Sequence, residues 1–304
     1  MPLPQSGIIP EPNASALFLL LNVSDREKKG RVVARGLAAA PALIDEVSRR
    51  DRHGNLVCTV GFGPELWDVI SPAKRPRQLA PFIAIEGPGG SAPSTGGDAI
   101  VHIISTRPDL NFELAQRLRQ LLGDTVKVME EIHGFRYLDS RDLTGFIDGT
   151  ENPGGDLRAA VALIDDEDPD FAGGSYIFTQ RYIHDLRKWS QLQVTEQEKI
   201  IGRTKPDSVE LPDKLPTSHV GRVVIEEDGA ELQILRHSFP YGTTTEAGLF
   251  FIAYTKNPDI PHKMLQRMMG TLDDGHHDHL LGYSQAVSGA NFFAPSLAVL
   301  HSFE

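Results

Sequence analysis

The chain has 304 residues, long enough for two domains of about 150 residues each. Its 40% apolar and 23% charged residues are ordinary for a globular protein with a core able to enclose a cofactor, and a net charge of −11 excludes the basic face that nucleic acid or an anionic membrane surface would need. One cysteine, Cys58, within the apolar run Leu56–Val60, excludes intrachain disulfides and a thiolate metal cluster.

In chain order, Ala16–Val23 reads as a strand, and Ser24-Asp-Arg-Glu27 has the spacing of a capping box with Ser24 as the cap. The helix it starts runs to about Arg50, with a break near Pro41. Strands follow at Leu56–Gly61 and Ala99–Ser105, separated by a loop rich in glycine and proline over residues 86–97. That loop has no lysine, which argues against a phosphate-cradling role. From Asp109 a helix carries Leu110, Leu114, Leu118 and Leu121 on one face, and a strand from Val126 to about Tyr137 closes the first half. The run Asp165–Asp170 reads as a solvated acidic turn, lacking the glycine and terminal glutamate of a calcium loop. Next come a strand at Ser175–Tyr182 and an exposed helix from Asp185 to Ile201. Val220–Glu226 and Leu232–Phe239 then read as a strand pair about the turn at Glu227-Asp-Gly.

The two halves repeat. Pro108-Asp-Leu-Asn-Phe-Glu-Leu-Ala-Gln-Arg-Leu118 matches Pro258-Asp-Ile-Pro-His-Lys-Met-Leu-Gln-Arg-Met268 in Pro, Asp, Gln and Arg, at a constant offset of 150 (258 − 108). Each copy follows an apolar strand, Ala99–Ile104 or Gly248–Tyr254. The expected class is α+β: duplicated ferredoxin-like domains, with antiparallel sheets backed by helices. The expected division is 1–155 and 156–304.

Asp148 lies in Gly145-Phe-Ile-Asp-Gly-Thr-Glu-Asn-Pro153, where flanking glycines permit a sharp turn close to a flat ligand. The local chemistry leaves it as a turn residue, a general base or a metal ligand. There are 11 histidines, and residue chemistry alone selects none as an iron ligand. His102 and His133 sit in strand-like segments and read as core residues, whereas His276, His277 and His279 read as an exposed turn.

The Gly-x-x-Asp-Gly-x-x-Asn-Pro segment is similar to the signature of dye-decolourising peroxidases. The resemblance continues through Gly134–Tyr137, Arg141–Gly145, Ile201–Lys205, Thr217–Val220, Ile234–Gly242 and Asn291–Ser296, so it covers nearly the whole chain and points to the bacterial cytosolic, class B-like branch. It implies two ferredoxin-like halves with haem b held mainly by the second. It also implies His219 as the iron ligand, with Asp273, Asp274 or Asp278 as a carboxylate partner for its other ring nitrogen. Asp148, Arg236 and Ser238 would handle peroxide, Asp148 as proton carrier and Arg236 as stabiliser of developing charge. Gly149 and Thr150 would adjoin the cofactor, Phe250 would wall it and Arg203 would pair with a propionate. The implied reaction reduces hydrogen peroxide while small aromatic donors such as dyes or phenols are oxidised one electron at a time. Bulky donors would pass electrons through surface aromatics, with Trp67, Trp189, Tyr137 and Tyr182 available. A haem carrier, sensor or iron-releasing protein on the same fold is the alternative. With no leader after Met1 and no targeting tail beyond Glu304, a cytoplasmic, unencapsulated homo-oligomer is expected, away from membranes and nucleic acid.

Overall fold

The computed structural model describes residues 2–304. The first apolar run forms β1 (Ser15–Val23), and alternation along it feeds two separate cores. Leu17, Leu19 and Leu21 face a helix-covered core; Ala16, Phe18 and Leu20 face the opposite side. The following helix is capped by Asp25, one residue later than expected: its carboxylate accepts the Lys28 N–H at 3.2 Å, while Ser24 bonds the Asp124 carbonyl instead. The anticipated break divides α1 (Arg26–Ala38) from α2 (Ala40–Ser48), with Pro41 in the first turn of α2, where its missing N–H costs nothing. After β2 (Val57–Phe62) and α3 (Pro64–Ile70), part of the glycine-rich loop forms a small hairpin, β3 (Ile85–Gly87) and β4 (Gly90–Ala92). The half ends with β5 (Ala99–Ser105), α4 (Pro108–Leu122) and β6 (Val126–Phe135). Leu110, Leu114 and Leu118 are buried as their spacing predicts, but Leu121 is 53% exposed and Leu122 turns inward.

The second half opens with α5 (Leu157–Ala162) and β7 (Ser175–His184). The helix expected over 185–201 is two shorter ones, α6 (Leu186–Trp189) and α7 (Val194–Ile201), which bury Trp189 and Gln197. The strand expected over 220–226 is replaced by α8 (His219–Val223). Its valines favour a strand, but Ser218 caps the turn by accepting the Gly221 N–H at 3.1 Å, and tertiary packing overrides propensity. The turn at Asp228 and Gly229 is present, with φ of 53° and 78°, though the strands it joins, β8 (Glu226–Glu227) and β9 (Ala230–Glu231), are short. The expected strand Leu232–Phe239 is interrupted at His237-Ser238, leaving β10 (Leu235–Arg236) and β11 (Phe239–Gly242). The chain finishes with β12 (Ala247–Thr255), α9 (Asp259–Met269), β13 (Ser284–Ala286), β14 (Ala290–Ala294) and α10 (Leu297–His301). No helix among the described residues is long and apolar enough to cross a membrane.

Antiparallel strands and covering helices make this an α+β fold. The large sheet runs β10-β12-β11-β6-β1-β5-β2-β14-β7-β13, and β12 also pairs with β7, which closes eight strands into a ring. The halves join at one register pair on each side, Tyr241 with Gly134 and Phe293 with Phe62. Within the ring the first half has the order β6-β1-β5-β2 and the second β11-β12-β7-β14. Phe18, Phe250, Ile252, Tyr254 and Phe292 fill the ring interior, all fully buried. Outside it, α1, α2 and α4 cover the first half, while α8 and α9 stand over β7 and β12.

Leu114 is fully buried in the helix-covered core. Leu114→Ala is expected to lower stability by about 2–5 kcal/mol, read as a fall in the urea midpoint without a change in slope.

Candidate active site

The segment 139–153 is built as a set of turns rather than a strand. Bridges between Tyr137 and Arg141 and between Arg141 and Ile147 fold it on itself, and the Asp148 N–H bonds the Ser140 carbonyl at 3.0 Å. Gly145 and Gly149 adopt φ of 90° and 76°, a region costly for residues with a Cβ; at Gly145 an added Cβ would also meet Lys205 at 2.6 Å. Arg141 clamps the loop by donating to the Gly145 and Lys205 carbonyls at 2.9 and 2.6 Å. Asp148 is thereby presented to an open cavity between the β7–β12 face and helices α8 and α9.

His219 stands at the start of α8 and lines the same cavity. Its Nδ1 meets Asp278 Oδ2 at 2.6 Å, and Asp278 is fully buried, with its other oxygen accepting the Leu280 N–H at 2.9 Å. The His279 N–H bonds the Thr217 carbonyl at 3.0 Å, tying together the two segments that carry the pair. Among the described residues nothing bonds His219 Nε2. Asp274 pairs instead with Arg222 at 2.7 Å, and Asp273 is exposed, so Asp278 is the carboxylate in contact with His219. The residues fit an iron porphyrin: one imidazole with its second nitrogen anchored, apolar walls from Val220, Leu249, Phe251, Met264 and Leu265, and a buried donor, Gln180 Nε2, lacking any partner at the cavity edge.

Arg236 and Ser238 share this cavity with Asp148. Asn152 explains how Arg236 is held: its side chain accepts the Arg236 N–H at 2.9 Å and donates to the Arg236 carbonyl at 2.7 Å, serving as a one-residue strand neighbour. That role was hidden in the motif, because an Asn-Pro pair also reads as a simple turn. Ser238 Oγ accepts the Ile252 N–H at 3.3 Å, which leaves its own hydrogen free to donate. A second open space meets the first at Asp148, Gly149, Arg236 and Ser238. Thr150 lines the cavity with its hydroxyl 2.9 Å from that of Ser208. Arg203 also lines it, but its guanidinium already pairs with Glu151 and Glu210 and donates to the Ser208 carbonyl.

Phe250 requires correction. It is fully buried inside the ring, 4.1 Å from the Phe18 ring centre, and does not wall the cavity. Strand alternation puts its neighbours Leu249 and Phe251 there instead. His133 is likewise not a core residue; its side chain is exposed and pairs with Glu131. Of the aromatics expected at the surface, Trp67, Trp189 and Tyr182 are buried, and only Tyr137 is partly exposed.

One pair went unnoticed in the sequence. His184 Nε2 lies 3.1 Å from Asp142 Oδ1, and the Thr144 N–H and hydroxyl bond the other oxygen at 2.8 and 2.5 Å. His184 and Thr144 hold Asp142 below the usual carboxylate range despite burial, which opposes them. At Asp148 the balance is reversed. Burial raises its carboxyl above the usual range; Arg236 pulls it down, Asp142 pushes it up, and the Gly149 N–H and His219 pull it down weakly.

Comparison with known proteins agrees with this geometry. Residues 5–136 match the family model described as Dyp-type peroxidase, N-terminal, and residues 139–299 match Dyp-type peroxidase, C-terminal. The chain is 40% identical over 291 residues to a dye-decolorizing peroxidase of Mycolicibacterium paratuberculosis, covering 94% of this chain and 82% of the relative. It is also 40% identical to that of Mycobacterium tuberculosis, covering 94% of this chain and 86% of the relative. A crystal structure of a Dyp-type peroxidase protein from Shewanella oneidensis superposes with a TM-score of 0.95 at 41% identity, covering 100% of this chain and 99% of that one. DypB of Rhodococcus jostii gives 0.94 at 42% identity, covering 98% and 97%, and variants of it were solved in complex with heme. The chain belongs to the Dyp-type peroxidase family.

Proposed function

We propose that this protein is a haem b peroxidase that reduces hydrogen peroxide to water and oxidises small aromatic donors by one-electron steps. The observation that carries the reading is His219, anchored by buried Asp278, with Nε2 free in the cavity that Asp148 and Arg236 also line. His219 would hold the iron through Nε2, and Asp278 keeps its ring oriented. Val220, Leu249 and Phe251 would enclose the macrocycle, with Gly149 and Thr150 beside it. Arg203 turns to a propionate only if that group displaces Glu151 or Glu210 from its guanidinium. Bound there, haem would supply the redox equivalents for peroxide reduction, two electrons to the peroxide that the aromatic donors return one at a time.

The chain's own residues manage the proton. Peroxide enters by the second space, and the Asp148 carboxylate takes a proton from one peroxide oxygen and delivers it to the other, which leaves as water. The Arg236 guanidinium orients peroxide and stabilises negative charge on the departing oxygen. The free hydrogen of Ser238 donates to peroxide or to a water beside it. A carrier or sensor of haem needs neither Asp148 nor Arg236, and no feature of the cavity favours that alternative.

The strand orders β6-β1-β5-β2 and β11-β12-β7-β14 support the finer reading of two duplicated ferredoxin-like halves, divided near residue 155, with haem held mainly by the second. The same reading includes a cytoplasmic homo-oligomer, supported by the single buried Cys58 and by exposed Ile83, Phe112 and Leu138. Light scattering on the purified protein tests the oligomer.

Asp148→Ala and Arg236→Leu are each expected to slow peroxide cleavage about 10²–10⁴-fold, measured by stopped-flow absorbance of haem-loaded protein. Unchanged rates in both variants exclude these roles. Asp148 acts as a carboxylate, so the rate falls as pH drops through its raised pKa. Arg236→Leu removes a positive neighbour and moves that acid limb to higher pH, whereas Asp142→Asn removes a negative one and moves it lower. Pre-steady-state rates across pH check both signs. Asp278→Asn is expected to weaken haem binding or peroxide cleavage by about 10–100-fold, followed by haem titration at the Soret band alongside the stopped-flow rate.

A further inference from the structure

The ring interior contains polar groups that the peroxide chemistry leaves unused. His102 on β5 and Tyr254 on β12 are fully buried, and the Tyr254 hydroxyl lies 2.9 Å from His102 Nδ1. Burial drives His102 well below the ordinary imidazole range and pushes the Tyr254 phenol up, so both are neutral. With the imidazole hydrogen on Nε2, Nδ1 is a base that accepts the phenol hydrogen across this contact. That Nε2 has no partner among the described residues, while the Thr59 hydroxyl lies beside that of Tyr254. An unsatisfied donor in a dry core is costly, and an apolar pair of the same shape would avoid the cost.

Most tyrosine hydroxyls in the chain that are bonded meet groups unable to take a proton. Tyr182 donates to the Gln180 amide oxygen and Tyr241 to the Tyr182 carbonyl, while the Tyr176 hydroxyl receives the Gln78 N–H. The indoles of Trp67 and Trp189 donate to the carbonyls of Lys74 and Thr144. Tyr254 is the tyrosine whose hydroxyl lies within hydrogen-bond distance of an imidazole nitrogen. Its surroundings also form a path. Phe18 stacks between His102 at 4.6 Å and Phe250 at 4.1 Å, and Phe250 is flanked in sequence by the cavity walls Leu249 and Phe251. At the other end the His237 ring lies 5.5 Å from that of Tyr254, directly follows Arg236 and lines the second space.

We propose that Tyr254 with His102 is an internal redox site, which gives an electron to the peroxide-oxidised cofactor when no donor is within reach. The inference rests on the haem peroxidase reading. Tyr254 loses one electron to the cofactor, its O–H bond breaks, and the proton forms an N–H bond at His102 Nδ1. A neutral phenoxyl beside an imidazolium results, and the cofactor is reduced by one equivalent. Desolvation disfavours both the phenolate and the phenol radical cation, so electron and proton leave together. It also disfavours the imidazolium, so the proton returns once an organic donor refills the electron.

Haem-loaded protein is mixed with hydrogen peroxide without donor, freeze-quenched and examined by electron paramagnetic resonance. A tyrosyl signal is expected, narrowed by ring-deuterated tyrosine, and lost for the most part in Tyr254→Phe at equal Soret absorbance. His102→Phe, which removes the base and keeps an aromatic ring, is expected to lose it as well. In the unaltered protein, high-field spectra are expected to show the largest g component below that of a tyrosyl without a hydrogen bond, a readout independent of whether either variant folds. Peroxide reduction with an undiminished tyrosyl signal in Tyr254→Phe, or a radical lacking that g shift, overturns this proposal alone. Protein that takes up no haem or leaves peroxide intact overturns the peroxidase reading together with it.

Discussion

Because successive side chains on a strand point to opposite faces, closing eight strands into a ring makes each residue of β7 and β12 choose between a dry interior and the cavity outside. On β12, Phe250, Ile252 and Tyr254 turn inward, while Leu249 and Phe251 turn out. On β7, Phe178, Gln180, Tyr182 and His184 turn out to the same cavity. A shift of one residue in either strand would exchange the two sets and put Gln180 and His184 into an apolar core. The pairing of β12 with β7 over eight register positions is therefore what gives the cavity a wall at all.

Against that wall, the chemistry comes from short irregular segments tied down by polar contacts. Asn152 holds the backbone of Arg236, Arg141 holds the loop of Asp148, and buried Asp278 holds His219. The ties at Arg236 and His219 join residues 84 and 59 apart in the chain, so the site depends on the closed sheet that brings them together. The electrostatics are set in the same way. Asp148 stands between the positive charge of Arg236 and the negative charge of Asp142, with burial as the largest influence.

Much of this was legible in residue order. The strands β1 and β5, the helix α4 and the repeat joining α4 with α9 follow from alternation and from spacings of three and four. The motif residues Asp148, Arg236, Ser238 and His219 do meet in one cavity. Illegible parts have a common cause. The α8 segment is rich in valine and reads as a strand until the Ser218 cap is seen, and Phe250 is one position out because alternation gives two faces without saying which is inside. Among three nearby aspartates, only the backbone bond between His279 and Thr217 brings one, Asp278, to His219.

The sequence by itself determined the alternation of apolar residues, the turns that glycine permits at positions 145 and 149, and the residue types able to handle iron and peroxide. These depend on local backbone preference and on spacing, which are properties of neighbouring residues. Tertiary structure alone decided which face of each strand is dry, which carboxylate reaches His219, and that the Asp148 carboxyl is raised although an arginine adjoins it. Those outcomes depend on desolvation and on contacts across 59 residues from His219 to Asp278 or 152 from His102 to Tyr254, and only the closed ring brings such pairs within reach.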